Sequence, residues 1–419
     1  MKMFIYILFF TLVYSKSEWN QFKSKYNKIY HTIEEENKRK QIFQSNLKKT
    51  QIHNKENNHY SQGINWYSDY DDNELIQFSH KTGIQRLQQW KTVHKRRQFH
   101  LNNTNSLKHS QIKQNNTTLP SNYSLCTSES EFNYCGTLNI DQGSCGCCYA
   151  AGTAHHLSTL YSFLIHQQNK HNQSEIERKL FSVQQLIDCN QMWGGCGGGF
   201  AEFCLESNDE FILDEDYPFI DSSIQCESPD DCQKYRHECK KNTSKFKAPL
   251  KLKDLKKRYT YFSRVSWEEI KEIIYKYHGF ISAMKVSPSL YRYSGGIYKD
   301  ESCQNKITDH VVVVDGYGES GNTKYLWVRN SWGMNWGIEN GHFKIDFETT
   351  CGINNRDKYH DKNGETVYLD NNMFIEVELT TENDFIEYQK SISSSNSSIS
   401  LLSSLLSLLL FIILSICIL

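Results

Sequence analysis

The chain has no excess of charge of either sign, and it contains little proline. Its 419 residues carry 47 lysines and arginines against 48 aspartates and glutamates, a formal net charge of -1. Because no global basic field is present to attract a polyanion, a nucleic-acid partner is not expected. Only five prolines occur, and the first is Pro120, so no proline interrupts a helix before that point. The sequence also lacks an internal repeat, which excludes a solenoid.

An apolar segment of signal-peptide length begins the chain. Residues 1–15, MKMFIYILFFTLVYS, contain an early lysine, an apolar run, and Val13 and Ser15 at the positions that a signal peptidase reads. Entry to the secretory pathway is therefore expected. In that oxidising compartment the 14 cysteines are expected to form disulfides rather than a thiolate metal cage. Glycosylation sequons that agree with this route begin at Asn102, Asn115, Asn116, Asn122, Asn172 and Asn242.

Composition divides the rest of the chain into one main domain with attachments. Residues 17–58 are charged, with apolar residues at helical spacing, and predict a helix. Residues 91–118 are basic and then rich in Asn, Thr and Ser, which is typical of a linker, so a boundary is expected at 119–120. Helical patterns follow at 149–168 and 181–189, and strand patterns at 310–318, 325–332 and 341–347. Helices followed by strands predict an α+β domain in two lobes.

Three cysteines crowd the segment QGSCGCCYA, residues 142–150. A thiol becomes a good nucleophile when its pKa falls from about 8.5, and both a helix N-terminus and a nearby imidazolium lower it. Cys148 begins the long apolar helix and meets the first condition. Cys147 and Cys148 point about 100° apart at a helix start, so both cannot face one cleft. Local geometry alone does not decide which of them attacks.

The segment from Gln142 to Tyr149 resembles the nucleophile motif of papain-like, cathepsin-type cysteine peptidases. Asp309-His310 before a valine run and the segment Asn330-Ser331-Trp332-Gly333 match that family in order. The resemblance implies a papain-like fold, a helical lobe and a β-barrel-like lobe with the active-site cleft between them. It also implies that Cys148 attacks, that His310 pairs with it, that Asn330 orients the imidazole, and that Gln142 stabilises the oxyanion.

The resemblance extends to disulfides and to substrate-binding residues. Cys145 is bonded in the family pattern, and the framework cysteines that match it are Cys145, Cys189, Cys196, Cys226, Cys303 and Cys351. The sequence leaves open whether Cys147 stays reduced or pairs with Cys126, Cys135, Cys204, Cys232 or Cys239. The positions that line the family's binding cleft are Gly198, Gly199, Phe200, Ala201, Met284, Val311, Trp332 and Arg356. For Phe200, Ala201, Met284 and Val311 the alternative is ordinary core packing. Arg356 would favour acidic substrate side chains; the alternative is that it turns outward and the pocket prefers leucine or valine.

Residues upstream of the boundary resemble the family's inhibitory prosegment. Glu35, Arg39, Phe43, Asn46 and Asn54 keep the spacing of its helix, and Gly63, Asn65, Tyr67 and Asp69 match its second motif. The expected organisation is a signal peptide at 1–15, a prosegment at 16–118 and a peptidase domain at 119–385. Neither a cofactor nor a metal is expected, although His155 and His156 with Cys145 and Cys147 could imitate a metal site.

Residues 386–419 end the chain with a Ser-rich stalk and an apolar tail. The tail from about Ser400 approaches the length of a membrane span, but no lysine or arginine follows it as a stop-transfer signal would require. Small residues at 393–397, a polar spacer and a hydrophobic tail are what a glycosylphosphatidylinositol (GPI) attachment signal requires. A GPI anchor is therefore favoured over a single transmembrane helix, with the protein at the cell surface or in a lysosome-like vesicle.

Together these features predict a cysteine endopeptidase made as a zymogen, acting on proteins and peptides and inhibited by its own prosegment. Inhibitors of the cystatin type are further possible partners. The alternative from another class is a cysteine-rich surface-binding protein that keeps the fold without efficient cleavage. The presence of Cys148, His310, Asn330 and Gln142 together favours the enzyme, because a binding module has no need of all four. An acyl transferase with the same mechanism is also open, because the choice between water and an amine depends on the pocket.

Overall fold

The computed structural model describes residues 18–56, 59–76, 119–168, 178–190, 195–208, 211–220, 239, 250–252, 259–360 and 366–379. Several sequence predictions lie outside these residues: the signal peptide, the linker at 91–118, the C-terminal tail at 386–419, Cys226, Cys232 and all the sequons except the one at Asn122.

The described part of the prosegment contains a long helix, shorter helical pieces that include a 3-10 turn at Trp66–Asp69 and residues 72–76, and a short strand. Residues 18–25 are helical, and α1 (Ile33–Glu56) follows. The single helix predicted over 17–58 is thus interrupted, because Asn27 adopts a left-handed conformation with φ of 50°. The two pieces pack through an aromatic cluster in which the rings of Phe22 and Phe43 lie 4.7 Å apart, with Trp19 against both. This small core orients α1.

Two asparagines that match the family's helix spacing hold the next part of the prosegment against α1. The Asn46 side chain donates to the carbonyl oxygens of Ser68 and Tyr70, at 3.0 and 2.8 Å. Asn54 makes a reciprocal pair of 2.8 Å hydrogen bonds with the backbone of Gln62. Because these amides satisfy backbone groups of the segment at 62–70, they fix its path against the helix.

The helical lobe is built around α2 (Cys148–Gln168), with α3 (Val183–Asp188) and α4 (Ala201–Ser207) beside it. Most of α2 is buried, because small residues such as Ala150, Ala151 and Gly152 let neighbouring elements approach closely. Its buried side chains form one core cluster with strand residues that include Val311 and Val313. The helix is therefore enclosed, and its N-terminus lies at the junction of the two lobes.

The second lobe is a nine-stranded sheet in the order β1-β6-β9-β8-β7-β5-β12-β4, with β2 beside β7. All neighbours are antiparallel except β6 and β9. Helices α5 (Trp267–Tyr277) and α6 (Pro288–Tyr291) belong to this lobe. Two antiparallel pairs, β10-β11 and β3-β13, are separate from the large sheet.

The strands, in chain order, are β1 (Tyr60–Gln62), β2 (Tyr123–Ser124), β3 (Leu250–Leu252), β4 (Tyr259–Phe262), β5 (Phe280–Met284), β6 (Tyr293–Tyr298), β7 (His310–Ser320), β8 (Thr323–Arg329), β9 (His342–Asp346), β10 (Arg356–His360), β11 (Thr366–Asp370), β12 (Asn372–Ile375) and β13 (Val377–Leu379). Strands β7, β8 and β9 confirm the three strand patterns, and the two-lobed α+β class is confirmed. The prosegment itself supplies the edge strand β1.

Candidate active site

Cys148 is the first residue of α2, at the junction between the lobes. Its side chain is buried and is not disulfide-bonded, and the same holds for Cys147. The first turn of the helix closes on Cys147, whose carbonyl oxygen accepts hydrogen bonds from the amides of Ala150 and Ala151, both at 2.9 Å. The unsatisfied amides and the dipole of a helix N-terminus favour a negative charge on Cys148.

His310 and Asn330 meet because β7 begins where the antiparallel strand β8 ends. His310 is the first residue of β7, and Asn330 follows Arg329, the last residue of β8. Nε2 of His310 lies 2.7 Å from Oδ1 of Asn330. The other ring nitrogen, Nδ1, then remains for Cys148, with which His310 is hydrogen-bonded. Trp332 covers this pair, with its ring centroid 5.2 Å from that of His310.

Competing effects set the pKa of His310. Burial would lower it, because a charged ring is costly away from water. The hydrogen bond and negative charge of Cys148 outweigh burial, Asn330 and Asp309 act in the same direction, and the pKa of His310 is raised above its ordinary value. This environment therefore favours a protonated imidazole beside the sulfur.

Gln142 lies next to Cys148 through the loop that precedes α2. Its Nε2 donates to the carbonyl of Cys145 at 2.7 Å, and its Oε1 accepts from the Ser331 hydroxyl. The backbone amide of Gln142 also donates to the carbonyl of Ser331 at 3.0 Å. Ser331 therefore orients the carboxamide from the Asn330 loop, a positioning contact that the sequence analysis missed although the residue adjoins Asn330.

The prosegment fills the space over these residues. A cavity of about 30 Å³ lies beside Cys148, His310, Gln142 and Trp332, and Tyr67 forms one of its walls. This volume is far below the roughly 300–1,000 Å³ of ordinary ligand sites, so a peptide does not fit there. The Tyr67 ring lies 5.6 Å from Trp332, which in turn stacks on Tyr291 at 4.3 Å.

Three further contacts anchor the prosegment to α6, to β6 and to Arg292 between them. Asn65 donates to the carbonyl of Tyr291 at 2.5 Å. Arg292 makes a 2.9 Å ion pair with Asp72, and strand β1 pairs antiparallel with β6. Hydrogen bonds, an ion pair and the tilted ring contact of Tyr67 with Trp332 thus hold the prosegment to the segment around Tyr291 and Arg292.

The glycine segment that the sequence predicted for substrate binding lies on the helical lobe. Gly198 has φ of 93°, which favours glycine, and a Cβ at Gly199 would stand 3.0 Å from the ring of Tyr149. Phe200 precedes α4 in extended conformation, and Ala201 begins it. The glycines are therefore required by the backbone path and by the ring of Tyr149.

The other predicted cleft residues occupy different surroundings. Val311 and Ala201 belong to the core cluster of the helical lobe, whereas Met284 is fully buried in the core cluster of the sheet lobe. The guanidinium of Arg356 pairs with Asp370 at 2.5 Å and bonds the hydroxyl of Ser263 at 2.7 Å. Its positive charge is thus already compensated.

Four disulfides occur in the described residues: Cys145–Cys196, Cys189–Cys239, Cys303–Cys351 and Cys126–Cys135. The first ties the loop before α2 to the glycine segment, where Gly146 also donates to the Cys196 carbonyl at 2.9 Å. The partners Cys239, Cys126 and Cys135 were left unassigned by the sequence. Cys204, like Cys147, is buried and not disulfide-bonded.

Within the described part of the chain, one set of three residues brings possible metal-ligand atoms close together: Cys126, Cys135 and Asp315. The two cysteines are bonded to each other, so they offer no thiolate ligands. His155 does not join Cys145 or Cys147 in such a group, since its Nε2 accepts the amide of Ile140 at 3.1 Å.

The geometry defines a thiol–imidazole–amide site covered by an N-terminal segment, which is the arrangement of a cysteine protease zymogen. Two family models match: papain family cysteine protease over residues 133–361, and cathepsin propeptide inhibitor domain over residues 19–75. The chain belongs to the papain family of cysteine proteases. It is made as a zymogen whose own propeptide is an inhibitory partner, and it acts on protein or peptide substrates.

Relatives and solved structures agree with this assignment. Procathepsin L of Mus musculus is 30% identical over 356 residues, covering 80% of this chain and 89% of the relative. A viral cathepsin of Adoxophyes honmai nucleopolyhedrovirus is 30% identical over 335 residues, covering 79% and 86%. Digestive procathepsin L 3 of Tenebrio molitor has the same fold, with a TM-score of 0.61, 19% identity, and coverage of 86% of this chain and 98% of that one.

Proposed function

We propose that the chain is an endopeptidase of the secretory pathway in which Cys148 is the nucleophile. Its thiolate attacks the carbonyl carbon of the scissile bond, and the resulting oxyanion is stabilised by Nε2 of Gln142 and the backbone N–H of Cys148. The carbon–nitrogen bond then breaks, and the amine leaves with a proton from Nδ1 of His310. Water, deprotonated by His310, hydrolyses the thioester and restores the pair.

The contact that carries this proposal is the 2.7 Å hydrogen bond between His310 and Asn330 on one side of an imidazole whose other nitrogen meets Cys148. Cleavage of a fluorogenic peptide by the processed protein tests it. We expect turnover that a cysteine-directed epoxide abolishes. Specific peptide binding without turnover would instead support the surface-binding alternative.

Domain limits follow from the same proposal. Residues 16–118 are the prosegment and 119–385 the peptidase domain, limits that enclose the two matched regions, 19–75 and 133–361.

The acyl half of the substrate is proposed to bind to Gly198, Gly199, Phe200, Ala201, Met284 and Val311. The leaving half is proposed to bind to Trp332. Cystatin-type inhibitors would occupy the same cleft.

Arg356 is proposed to lie at the floor of the main specificity pocket. Its pairing with Asp370 weakens its attraction for a substrate carboxylate. An acidic substrate side chain must compete with that carboxylate, so we expect Glu- and Leu-bearing peptides to differ by only about threefold in kcat/KM. Replacing Arg356 with alanine should reverse any advantage of the Glu peptide. If the ratio is the same in both proteins, Arg356 does not line the pocket.

The proposed location is a membrane surface reached through the secretory pathway, with N-linked glycans at some sequons and a GPI anchor. No helix in the described residues is long and apolar enough to cross a bilayer. The proposal rests on the sequence of 386–419. Phospholipase C treatment of membranes should release the protease with its C-terminus near Ser395. A membrane-bound mature protein that still ends at Leu419 would establish a transmembrane anchor instead.

A further inference from the structure

Two carboxylates border the active site, and they differ in whether a positively charged side chain neutralises their negative charge. Asp309 is ion-paired with Lys285, and its other oxygen accepts the amide of Val286 at 2.9 Å. Asp141 is exposed, and no lysine, arginine or histidine in the described residues forms an ion pair with it. Asp141 therefore presents an uncompensated negative charge near the catalytic residues.

The carboxylate of Asp141 is held in place rather than free to swing. Its Oδ1 accepts the amide of Gly143 at 3.0 Å, and its backbone forms a β-bridge with Trp332. Its Oδ2 lies against Gly333, where an added Cβ would stand 3.2 Å away. Asp141 thus adjoins the Trp332 turn, next to Gln142.

Under the proposed function, the Trp332 turn lies on the side of the active site that binds the part of the substrate after the scissile bond. Trp332 packs on His310, which under the proposed function gives its proton to the leaving amine. The glycine segment proposed for the acyl half lies instead on the helical lobe, bonded to the loop at Cys145. Asp141 is therefore placed to meet side chains that follow the scissile bond.

A large cleft already exists on this side in the zymogen. A cavity of about 760 Å³ separates the prosegment from the catalytic domain, and Asp141 is the only charged residue among its described walls on the catalytic side. Those walls are Asp141, Gly143, Ser144, Phe219, Trp332, Gly333, Asn335 and Trp336. Aromatic rings beside one carboxylate suit a long cationic side chain, whose stem packs on the rings while its charge reaches the acid.

We propose that Asp141 selects substrates with lysine or arginine at the first or second residue after the scissile bond. This selectivity rests on the proposed function, because it assigns a specificity-determining role within the same cleft. The pair is solvent-exposed, so its effect is modest and screened by salt. Attraction of lysine and repulsion of glutamate together give an expected preference of about tenfold in kcat/KM.

Peptides that share one acyl half and carry Lys, Gln or Glu at those two positions test the proposal on the processed protein. We expect Lys peptides to exceed Glu peptides about tenfold, with the ratio reduced in 0.5 M salt. Asp141→Asn should bring the ratio close to one, with the Gln peptide as internal reference for folding. Glu348→Gln, which removes an exposed carboxylate outside the cleft walls, should leave the ratio unchanged.

An unchanged Lys-to-Glu ratio in Asp141→Asn would overturn the inference, as would equal rates for all three peptides in the unsubstituted protein. If no peptide is cleaved and an epoxide does not label Cys148, the proposed function is wrong. That outcome is distinguishable from loss of selectivity in an active enzyme.

Discussion

Replacement of Cys148 by alanine is expected to lower kcat/KM for a peptide substrate by about 10⁵-fold. The substitution removes both the nucleophile and the negative charge that pairs with His310, and catalytic groups that act as a unit lose nearly everything when one is deleted. Cys147→Ala is the matched control, since it deletes the same atom from the neighbouring buried residue. That variant should stay within about threefold of the unsubstituted protein, because the cavity beside His310 is lined by Cys148 and not by Cys147.

The reverse pattern would reassign the nucleophile. Peptide cleavage that survives Cys148→Ala but is lost in Cys147→Ala would show that Cys147 is the nucleophile. Circular dichroism and thermal unfolding of both variants separate loss of chemistry from loss of structure, since deletion of a buried sulfur costs about 1 kcal/mol in either position.

The uncut zymogen is expected to react with a cysteine-directed epoxide about 100-fold more slowly than the protein processed near Leu119. The Tyr67 ring lies 5.6 Å from that of Trp332 and forms a wall of the cavity beside Cys148, which is too small for a ligand of that size. Tyr67→Ala in the uncut chain should raise the labelling rate at least tenfold. Tyr67→Phe keeps the ring and should label as slowly as the unsubstituted zymogen. Equal rates before and after processing would refute inhibition by the prosegment.

The ion pair between Asp72 and Arg292 gives this latency a defined pH dependence. Burial would raise the pKa of Asp72, but hydrogen bonds from Lys49 and Arg292 outweigh it and lower the pKa below the ordinary 3.8. A lowered pKa means that Asp72 stabilises the bound prosegment fully above that ordinary value and loses its contribution as the pH falls through the lowered pKa. Asp72→Asn should therefore accelerate labelling at pH 5 to 7, and the difference should shrink as the pH falls below the ordinary value of 3.8 through the lowered pKa. A difference that does not shrink below that value would contradict this role.

The sequence predicted the parts of the site that reside in local motifs. Cys148 and Gln142 lie in one short segment, and the helix that follows has a clear apolar pattern. His310 and Asn330 could be proposed only through the family resemblance, because the register that joins the start of β7 to the end of β8 depends on pairing across the sheet. The two-lobed fold followed from the same resemblance and from the order of helices and strands.

Other features depend on tertiary contacts and have no recognisable signal in the amino-acid sequence. Bonding of Cys189 to Cys239 could not be chosen among the cysteines without distances. The break at Asn27 within the predicted helix required a left-handed residue that no proline or glycine marks. The pairing of Arg356 with Asp370 joins residues of a hairpin, β10-β11, that the sequence analysis did not identify.

Mass spectrometry of the protein after treatment with a cysteine-peptidase epoxide tests the central claim most directly. It reports the labelled residue and the mature N-terminus in one measurement. The account predicts one adduct, on Cys148, in protein that begins near Leu119, and almost none in the uncut zymogen. An adduct on Cys147, or efficient labelling of Cys148 with the prosegment still attached, would contradict it.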